Sequence, residues 1–261
     1  TPWGSYIKGL VVEIAAPPSS GKTTLLFNEA INMTLADKRV YYLSAGDMMQ
    51  GDFVARATAL IKNIPLNHAY LHPELYDDEV KQKLKHFYCS VHASGAINSG
   101  QLIDHIIKNV YKNKNIDVFI LDYDANIGSD RPADQMYQIG GELYNILSKI
   151  ARYSPGHYIL VLVGSQVKNA NYYDEIILKD SSAESSKKSH IVDVKLTISR
   201  PFTGEEHFGC IYTAKARRGV EGSIHYYQID NTCKFNHITP MEYATLKGAR
   251  SSGSRGQNRT A

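Results

Sequence analysis

The sequence predicts an α/β fold in which a mainly parallel central sheet carries helices on both faces and continues into an antiparallel C-terminal extension. Three observations predict it. Short strands that are apolar along their whole length, such as Val118 to Leu121 and Tyr158 to Val163, alternate with amphipathic helices, as strands covered on both faces do. One such strand, Leu10 to Ala15, runs into a Pro/Ser/Gly loop and then into a helical pattern. Beyond about residue 190 the helices give way to β-rich segments with period-two alternation.

After the first strand, Leu25, Leu26, Ala30, Ile31 and Met33 set a helix. Arg39 to Ser44 follows the turn-forming Asp37-Lys38 as a second strand, and Phe53 to Ile61 reads as a helix. Residues 63 to 86, with two prolines and three histidines, read as an irregular excursion carrying one polar helix around Asp77 to Lys85. A strand near Phe87 to Val91 follows. Asn98 or Ser99 can cap a helix whose Ile103, Ile106, Ile107 and Val110 share a face. Asp117 to Leu121 is the next strand and ends at Asp122, and Met136, Ile139, Leu143, Ile146, Leu147 and Ile150 mark an amphipathic helix before the buried strand Tyr158 to Val163. Lys168 to His190 is polar and Ser/Lys-rich. Val192 to Ser199, His207 to Ala214 and Ser223 to Ile229 make up the antiparallel extension. Gly248 to Ala261 lacks apolar periodicity, so the expected organisation is one domain over residues 1–247 and a disordered basic tail over 248–261.

Composition narrows the function classes. With 261 residues, 43% apolar and 21% charged, the chain is neither collagen-like, coiled-coil nor wholly disordered. Its apolar runs are far shorter than the roughly 18 residues of a membrane span, and Thr1-Pro2-Trp3-Gly4 does not open a charged, apolar-cored leader. Cys89, Cys210 and Cys233 are odd in number and form no C-x-x-C pair, which argues for a reducing compartment and against structural zinc. The expected location is therefore the cytoplasm. The net charge of +3 is supplied by Arg250, Arg255 and Arg259, so the folded part is close to neutral, and any nucleic acid must be held by a local groove or a channel made by assembly.

The strongest local signal is Ala16-Pro17-Pro18-Ser19-Ser20-Gly21-Lys22-Thr23-Thr24, set between a buried strand and a helix. Binding a phosphate chain calls for backbone N–H groups at a helix N-terminus, a glycine where a Cβ would collide, a lysine for the β- and γ-phosphates and a hydroxyl for Mg²⁺. Pro18, Ser19, Ser20, Gly21, Lys22, Thr23 and Thr24 are thus the expected ATP-binding residues. Thr23 and Asp122, the carboxylate at the end of a neighbouring strand, are the expected Mg²⁺ pair. Asp124 reads as a solvated or loop-fixing carboxylate. Asp47 after the second strand and Gln166 after the fifth fall at carboxyl ends of strands, where a water-activating carboxylate and a γ-phosphate sensor belong. In Ala214-Lys215-Ala216-Arg217-Arg218-Gly219, strand alternation sends Lys215 and Arg217 to one face and Arg218 to the other. That pair reads either as a solvated basic turn or as a cationic finger toward a transferring phosphoryl group.

These residues together resemble the ATPase domain of DnaB-type hexameric replicative helicases, a RecA-like P-loop NTPase branch, from about Gly9 to Ile229. The likeness rests on Ala16, Pro18, Ser19, Gly21, Lys22 and Thr23, on Asp47-Met48 with Arg56, and on Leu121-Asp122-Tyr123. It continues in Ser165-Gln166, in Glu184-Ser185 with Asp193, and in Lys215, Arg217 and Gly219. The resemblance implies an ATP hydrolase and 5′-to-3′ DNA helicase built as a homo-oligomeric, hexameric ring. One protomer would supply Lys22, Thr23, Asp47, Asp122 and Gln166 to each ATP, and the next would supply Lys215 and Arg217. It also implies channel loops on single-stranded DNA, with Arg131, Lys168, Lys187 and Lys188 as contacts, Tyr172 and Tyr173 as stacking residues, and a primase or loader as partner. The loosened motifs suggest a phage member acting in the bacterial host cytoplasm. Two departures stand out: the family's glutamate is Asp47, one methylene shorter, which points to slow hydrolysis, and no counterpart of the family's N-terminal domain and linker helix is seen, which points to a ring that is weak without DNA and nucleotide. The alternatives are a non-helicase RecA-like ATPase, such as a recombinase filament or regulatory ring, and a non-enzymatic nucleotide- or DNA-binding scaffold.

Overall fold

The structure, a computed structural model, describes residues 6–46, 48–106, 115–128, 136–152, 158–172, 174–179, 186–200 and 207–253. Five parallel strands follow the predicted order: β1 (Val11–Ala16), β2 (Val40–Ala45), β3 (Phe87–His92), β4 (Val118–Asp122) and β5 (Leu160–Gln166). β6 (Val194–Ser199), β7 (His207–Ala216), β8 (Ile224–Ile229) and β9 (Phe235–Ile238) complete one sheet in the order β3-β2-β4-β5-β1-β6-β7-β8-β9. β1, β2 and β4 are buried at every residue, as their mainly apolar character requires, the buried Glu13, Ser44 and Asp122 being the exceptions in type.

Helix α1 (Lys22–Leu35) lies on one face with α2 (Gln50–Lys62), where Leu25, Leu26, Phe27 and Phe53 pack on Val12, Ile14, Tyr42 and Ile120. Phe27, Tyr42, Phe53 and Phe87 form an edge-on aromatic group, with Phe27 and Phe53 centroids 5.6 Å apart. Such a pair contributes about 0.5–1.5 kcal/mol beyond area burial. The opposite face takes α5 (Ser99–His105) and α6 (Met136–Ala151), whose Leu102, Leu143, Tyr144 and Leu147 cover Val11, Leu43, Phe119 and Val161. The excursion between α2 and β3 holds the short helices α3 (Leu66–Leu71) and α4 (Asp78–Lys83), the second being the predicted polar helix. α7 (Ser186–Ile191) precedes β6. Among the described residues no helix is long and apolar enough to cross a membrane.

Two expectations are corrected. β6 does not open the antiparallel extension: it runs parallel to β1, with Val12 opposite Val194 and Ala15 opposite Thr197, and the reversal comes only at β7. The alternation along β6 suggested a wet face because Lys195, Thr197 and Ser199 are polar. All three are buried and bond instead to the carbonyls of Lys179, Ile177 and Glu175. A strand and a helix also lie beyond the expected extension, β9 and α8 (Pro240–Gly253), and α8 crosses the expected boundary at 247/248. The tail from residue 254 lies outside the described residues.

Candidate active site

β1 lies between β5 and β6, and its carboxyl end delivers the chain to the loop Pro17–Gly21 and then to α1. The loop closes on itself: Ser20 Oγ donates to the Pro17 carbonyl at 2.8 Å, which accounts for the burial of Ser20. Gly21 caps α1 in the left-handed region at φ 91°, with no side-chain cap and no acidic residue in the first turn. The leading amides of α1 therefore have no side-chain acceptor at the cap, and the positive helix end meets no carboxylate of its own first turn. That is the arrangement an anion requires.

Around this loop opens a cavity of about 850 Å³. Of the loop residues singled out in the sequence, Pro18, Ser19, Gly21, Lys22, Thr23 and Thr24 line it, together with Gln166 and Tyr123, whereas the buried Ser20 does not. Lys22 Nζ lies 3.6 Å from the Tyr123 ring centroid. Gln166 Nε2 donates to the Tyr172 hydroxyl at 2.7 Å, which holds the amide at the strand end.

Asp122 is fully buried at the end of β4, where its Oδ2 accepts from the Tyr42 hydroxyl at 2.8 Å. Between β4 and β1, at Gly164 of β5, a Cβ would lie 3.3 Å from Asp122 Oδ1, so glycine leaves room beside the carboxylate. A half-buried threonine hydroxyl and a carboxylate are hard oxygen donors, and this donor set fits Mg²⁺. Asp47 and Arg131 lie outside the described residues, as do Tyr173, Glu184 and Ser185.

The loop has a second wall. Arg56 Nη1 approaches Thr24 Oγ1 at 3.4 Å, Arg200 Nη1 donates to the Ser19 carbonyl at 2.8 Å, and the buried Tyr227 hydroxyl donates to the Ser20 carbonyl at 3.2 Å. The β8–β9 hairpin leans on α1, with Asn28 bonding Cys233 O and Phe235 N, and brings Ile229, Asp230 and Cys233 to the cavity. Only Arg56 had a sequence signal, its spacing from Asp47. The others depend on pairings between distant strands.

Lys215 and Arg217 do not line the cavity. Lys215 pairs with Lys195, which pairs with Glu13, and Ala216 pairs with Val194, so the cations lie toward the amino ends of β1 and β6 while the loop leaves the carboxyl end. From Val12 to Ala16 the strand rises roughly 13 Å at about 3.3 Å per residue. The two cations share one locality, as alternation implied. Lys215 Nζ donates to Val192 O at 2.6 Å, and Arg217, with a half-exposed side chain, bonds His190 O and lies 3.3 Å from Asp193 Oδ1. Burial, then the adjacent Arg217, holds the Lys215 ammonium below its usual range. Arg218, in the turn after β7, borders one groove together with Arg217.

The four expected DNA contacts separate. Lys168 is exposed just beyond β5, and Lys187 lies on α7, its side chain outside the described residues. Lys188 is buried, 3% exposed at its side chain, with Nζ 2.9 Å from Asp124 Oδ2. It is not placed to touch DNA. A charged residue in a polar run reads as a surface residue until a buried carboxylate is found opposite it, and Asp124 is accordingly loop-fixing and not solvated.

No protein-family model and no curated protein matches the sequence. Solved structures do. An ATPase domain aligns with a TM-score of 0.72 at 18% identity, over 89% of this chain and 86% of its own. A DnaB-like replicative helicase, described with its interactions with primase, aligns with 0.72 at 17% identity over 90% of this chain; this chain spans 58% of that one. The RadB recombinase aligns with 0.61 at 18% identity, over 91% of this chain and 94% of its own. With its parallel sheet, the loop after β1 and the antiparallel strands beyond β6, the chain has the RecA-like fold of these ATPase, helicase and recombinase structures.

Proposed function

We propose that the chain is the ATP-hydrolysing motor domain of a ring-forming DNA helicase that moves on single-stranded DNA. One observation carries the proposal: the phosphate-binding loop and the Lys215/Arg217 pair sit toward opposite strand ends of one subunit. A subunit of this shape can offer a cradle on one side and cations on the other, so that each ATP is cleaved between two copies. The likeness to helicase structures at the higher TM-score favours a ring over a recombinase filament.

In this reading the α1 amides and Lys22 bind the β- and γ-phosphates, and Thr23 and Asp122 hold Mg²⁺. Bound there, Mg²⁺ would neutralise charge on the phosphate oxygens. Asp47 takes a proton from the attacking water as the bond to the leaving ADP breaks, and Gln166 orients that water. Lys215 and Arg217 of the neighbouring copy meet the charge that spreads over the transferred group, a contribution worth about 10³–10⁵ in rate where such a finger is known. Lys168 and Lys187 contact DNA phosphates, and a primase or loader is the expected protein partner.

Mixing experiments test the shared site. Lys22→Ala and Arg217→Ala chains, each inactive alone, should regain part of the DNA-stimulated ATPase when mixed, because some boundaries then join two intact halves. Arg217→Ala alone should keep its affinity for ATP. Absence of any recovery, with assembly intact by light scattering, would show a site complete within one chain.

A further inference from the structure

The carbonyls of the phosphate-binding loop accept from donors that the hydrolytic reading leaves idle. Ser20 Oγ donates to the Pro17 carbonyl at 2.8 Å, Arg200 Nη1 to the Ser19 carbonyl at 2.8 Å and the Tyr227 hydroxyl to the Ser20 carbonyl at 3.2 Å. Neither Arg200 nor Tyr227 lines the cavity, so both reach the loop from outside it. A loop whose carbonyls are engaged on its outer side is free to turn its amides inward, where an anion would meet them.

Ser19 is the residue at which this bracing matters most. Its φ of 59° lies in the left-handed region, which a residue with a Cβ adopts rarely and keeps only where its surroundings hold it. Gly21, also left-handed, has no Cβ to oppose the conformation. Turns of this kind bring successive N–H groups toward one point.

The sheet supplies the hold on Ser19. β6 runs parallel to β1 with Ala15 opposite Thr197, so Arg200, three residues further on, comes level with the loop, and its side chain is half-buried there. The end of β6 is fixed in turn, because the buried Tyr227 hydroxyl lies 3.3 Å from Ser199 O while it reaches Ser20 O. At Gly209 of β7 a Cβ would collide with both Ser199 O and that hydroxyl, and glycine leaves them room to meet. Burial keeps the Tyr227 hydroxyl protonated well above its usual range, so it remains a donor.

We propose that Arg200 is a positioning residue: through the Ser19 carbonyl it holds the left-handed turn that aims the loop amides at a phosphate chain, and so sets nucleotide affinity without touching the nucleotide. The inference rests on reading this loop as the ATP cradle and adds a residue which that reading does not use. Loop amides of this kind cradle the α- and β-phosphates. The contribution is therefore the same for ATP and ADP.

The test is equilibrium binding of mant-ATP and mant-ADP to the full chain with Mg²⁺, followed by fluorescence. Arg200→Met keeps the unbranched stem and removes the donors. It should weaken both nucleotides about tenfold, the order expected for a lost hydrogen bond from a charged group, while the melting temperature stays close to that of the unsubstituted chain. Ser19→Gly removes the Cβ that opposes the turn, so in that background Arg200→Met should cost no more than about threefold. Arg200→Lys, which retains the charge and a donor and so guards against a variant that fails to fold, should lose less and be rescued by Ser19→Gly in the same way.

A loss as large with Ser19→Gly as without it would overturn the proposal. So would a loss confined to mant-ATP, the mark of a guanidinium acting on the γ-phosphate itself. Unchanged affinity in Arg200→Met, with binding abolished by Lys22→Ala, ends the positioning role alone. If Lys22→Ala leaves mant-ATP binding intact, the loop is not a phosphate cradle, and the motor reading fails together with this one.

Discussion

Gly21 shows how much of the site rests on single residues. Its φ of 91° is in the region L-residues avoid, and a Cβ there would lie 2.8 Å from Ile229 Cδ1 and 3.3 Å from Phe235 Cζ. Ile229 can give at its far end, but the Phe235 ring is tilted against Tyr227 with centroids 4.6 Å apart and has little freedom. Gly21→Ala should therefore lower stability by roughly 1–2 kcal/mol from the backbone conformation alone. A urea melt should show the midpoint falling with an unchanged slope, and binding of a fluorescent ATP analogue should weaken because the loop and the hairpin are displaced together. Unaltered nucleotide affinity would mean that the hairpin does not brace the loop. At this scale the cradle was legible because its signal is local: loop, lysine and hydroxyls are contiguous in sequence. Tyr227, Arg200 and Asn28 were not legible, since each reaches the loop or the hairpin only through a strand pairing more than a hundred residues away. Lys188 was misread for the complementary reason, as polarity in sequence does not disclose a buried partner.

Among elements, α8 lies beyond the expected extension although a local signal in the sequence announces it. Thr239-Pro240-Met241-Glu242 is a capping box with proline in the first turn: Thr239 Oγ1 accepts from Glu242 N at 3.2 Å, and Glu242 Oε2 accepts from Thr239 N at 2.6 Å. Weak apolar periodicity after it masked the signal, because α8 docks through few residues. Tyr243 stacks on Tyr226 at 4.3 Å and meets Phe208 edge-on, and Lys247 bonds Glu175 at 2.8 Å. The Lys247 ammonium, then the Tyr243 hydroxyl against the opposing effect of burial, holds the Glu175 carboxyl below its usual 4.5. A carboxyl depressed in the folded state stabilises above its unfolded value, and that contribution is lost as pH falls through the lower, folded value. Glu175→Gln should thus melt below the unsubstituted chain at pH 7, and the gap should close as pH drops well under 4.5. Both partners are about half exposed, so the gap should stay within the ~0–1 kcal/mol of a surface pair and shrink with salt. The absence of any gap at pH 7 would place the anchoring in the aromatic stack alone. The parallel strands β1, β2, β4 and β5, by contrast, were readable because their two-sided burial leaves little polar alternation to mislead. β6 was misassigned where that rule breaks, with polar side chains turned inward onto chain carbonyls.

On the scale of the molecule, the cavity gathers the carboxyl ends of β1 and β5, the residue after β4 and the β8–β9 hairpin, while Lys215 and Arg217 lie at and just beyond the end of β7, toward the opposite strand ends of β1 and β6. A chain so divided cannot bring Arg217 to its own loop without unzipping β6 from β1, which would expose a row of backbone hydrogen bonds and the buried pair Glu13 and Lys195. If the two halves act on one triphosphate, they must belong to different copies, and hydrolysis becomes a property of concentration. The rate per chain should fall on dilution toward the level of Arg217→Ala, while ATP binding, which needs one chain only, persists. Saturating single-stranded DNA should shift the dilution curve to lower protein concentration, since a strand that spans neighbours links their association to its own binding. Two copies joined in tandem by a flexible linker should resist dilution at the boundary they share. ATPase measurements across a thousandfold dilution, with sedimentation on the same samples, decide the matter: a rate per chain that stays constant while the particles become monomers leaves the cations of β7 with no part in the chemistry.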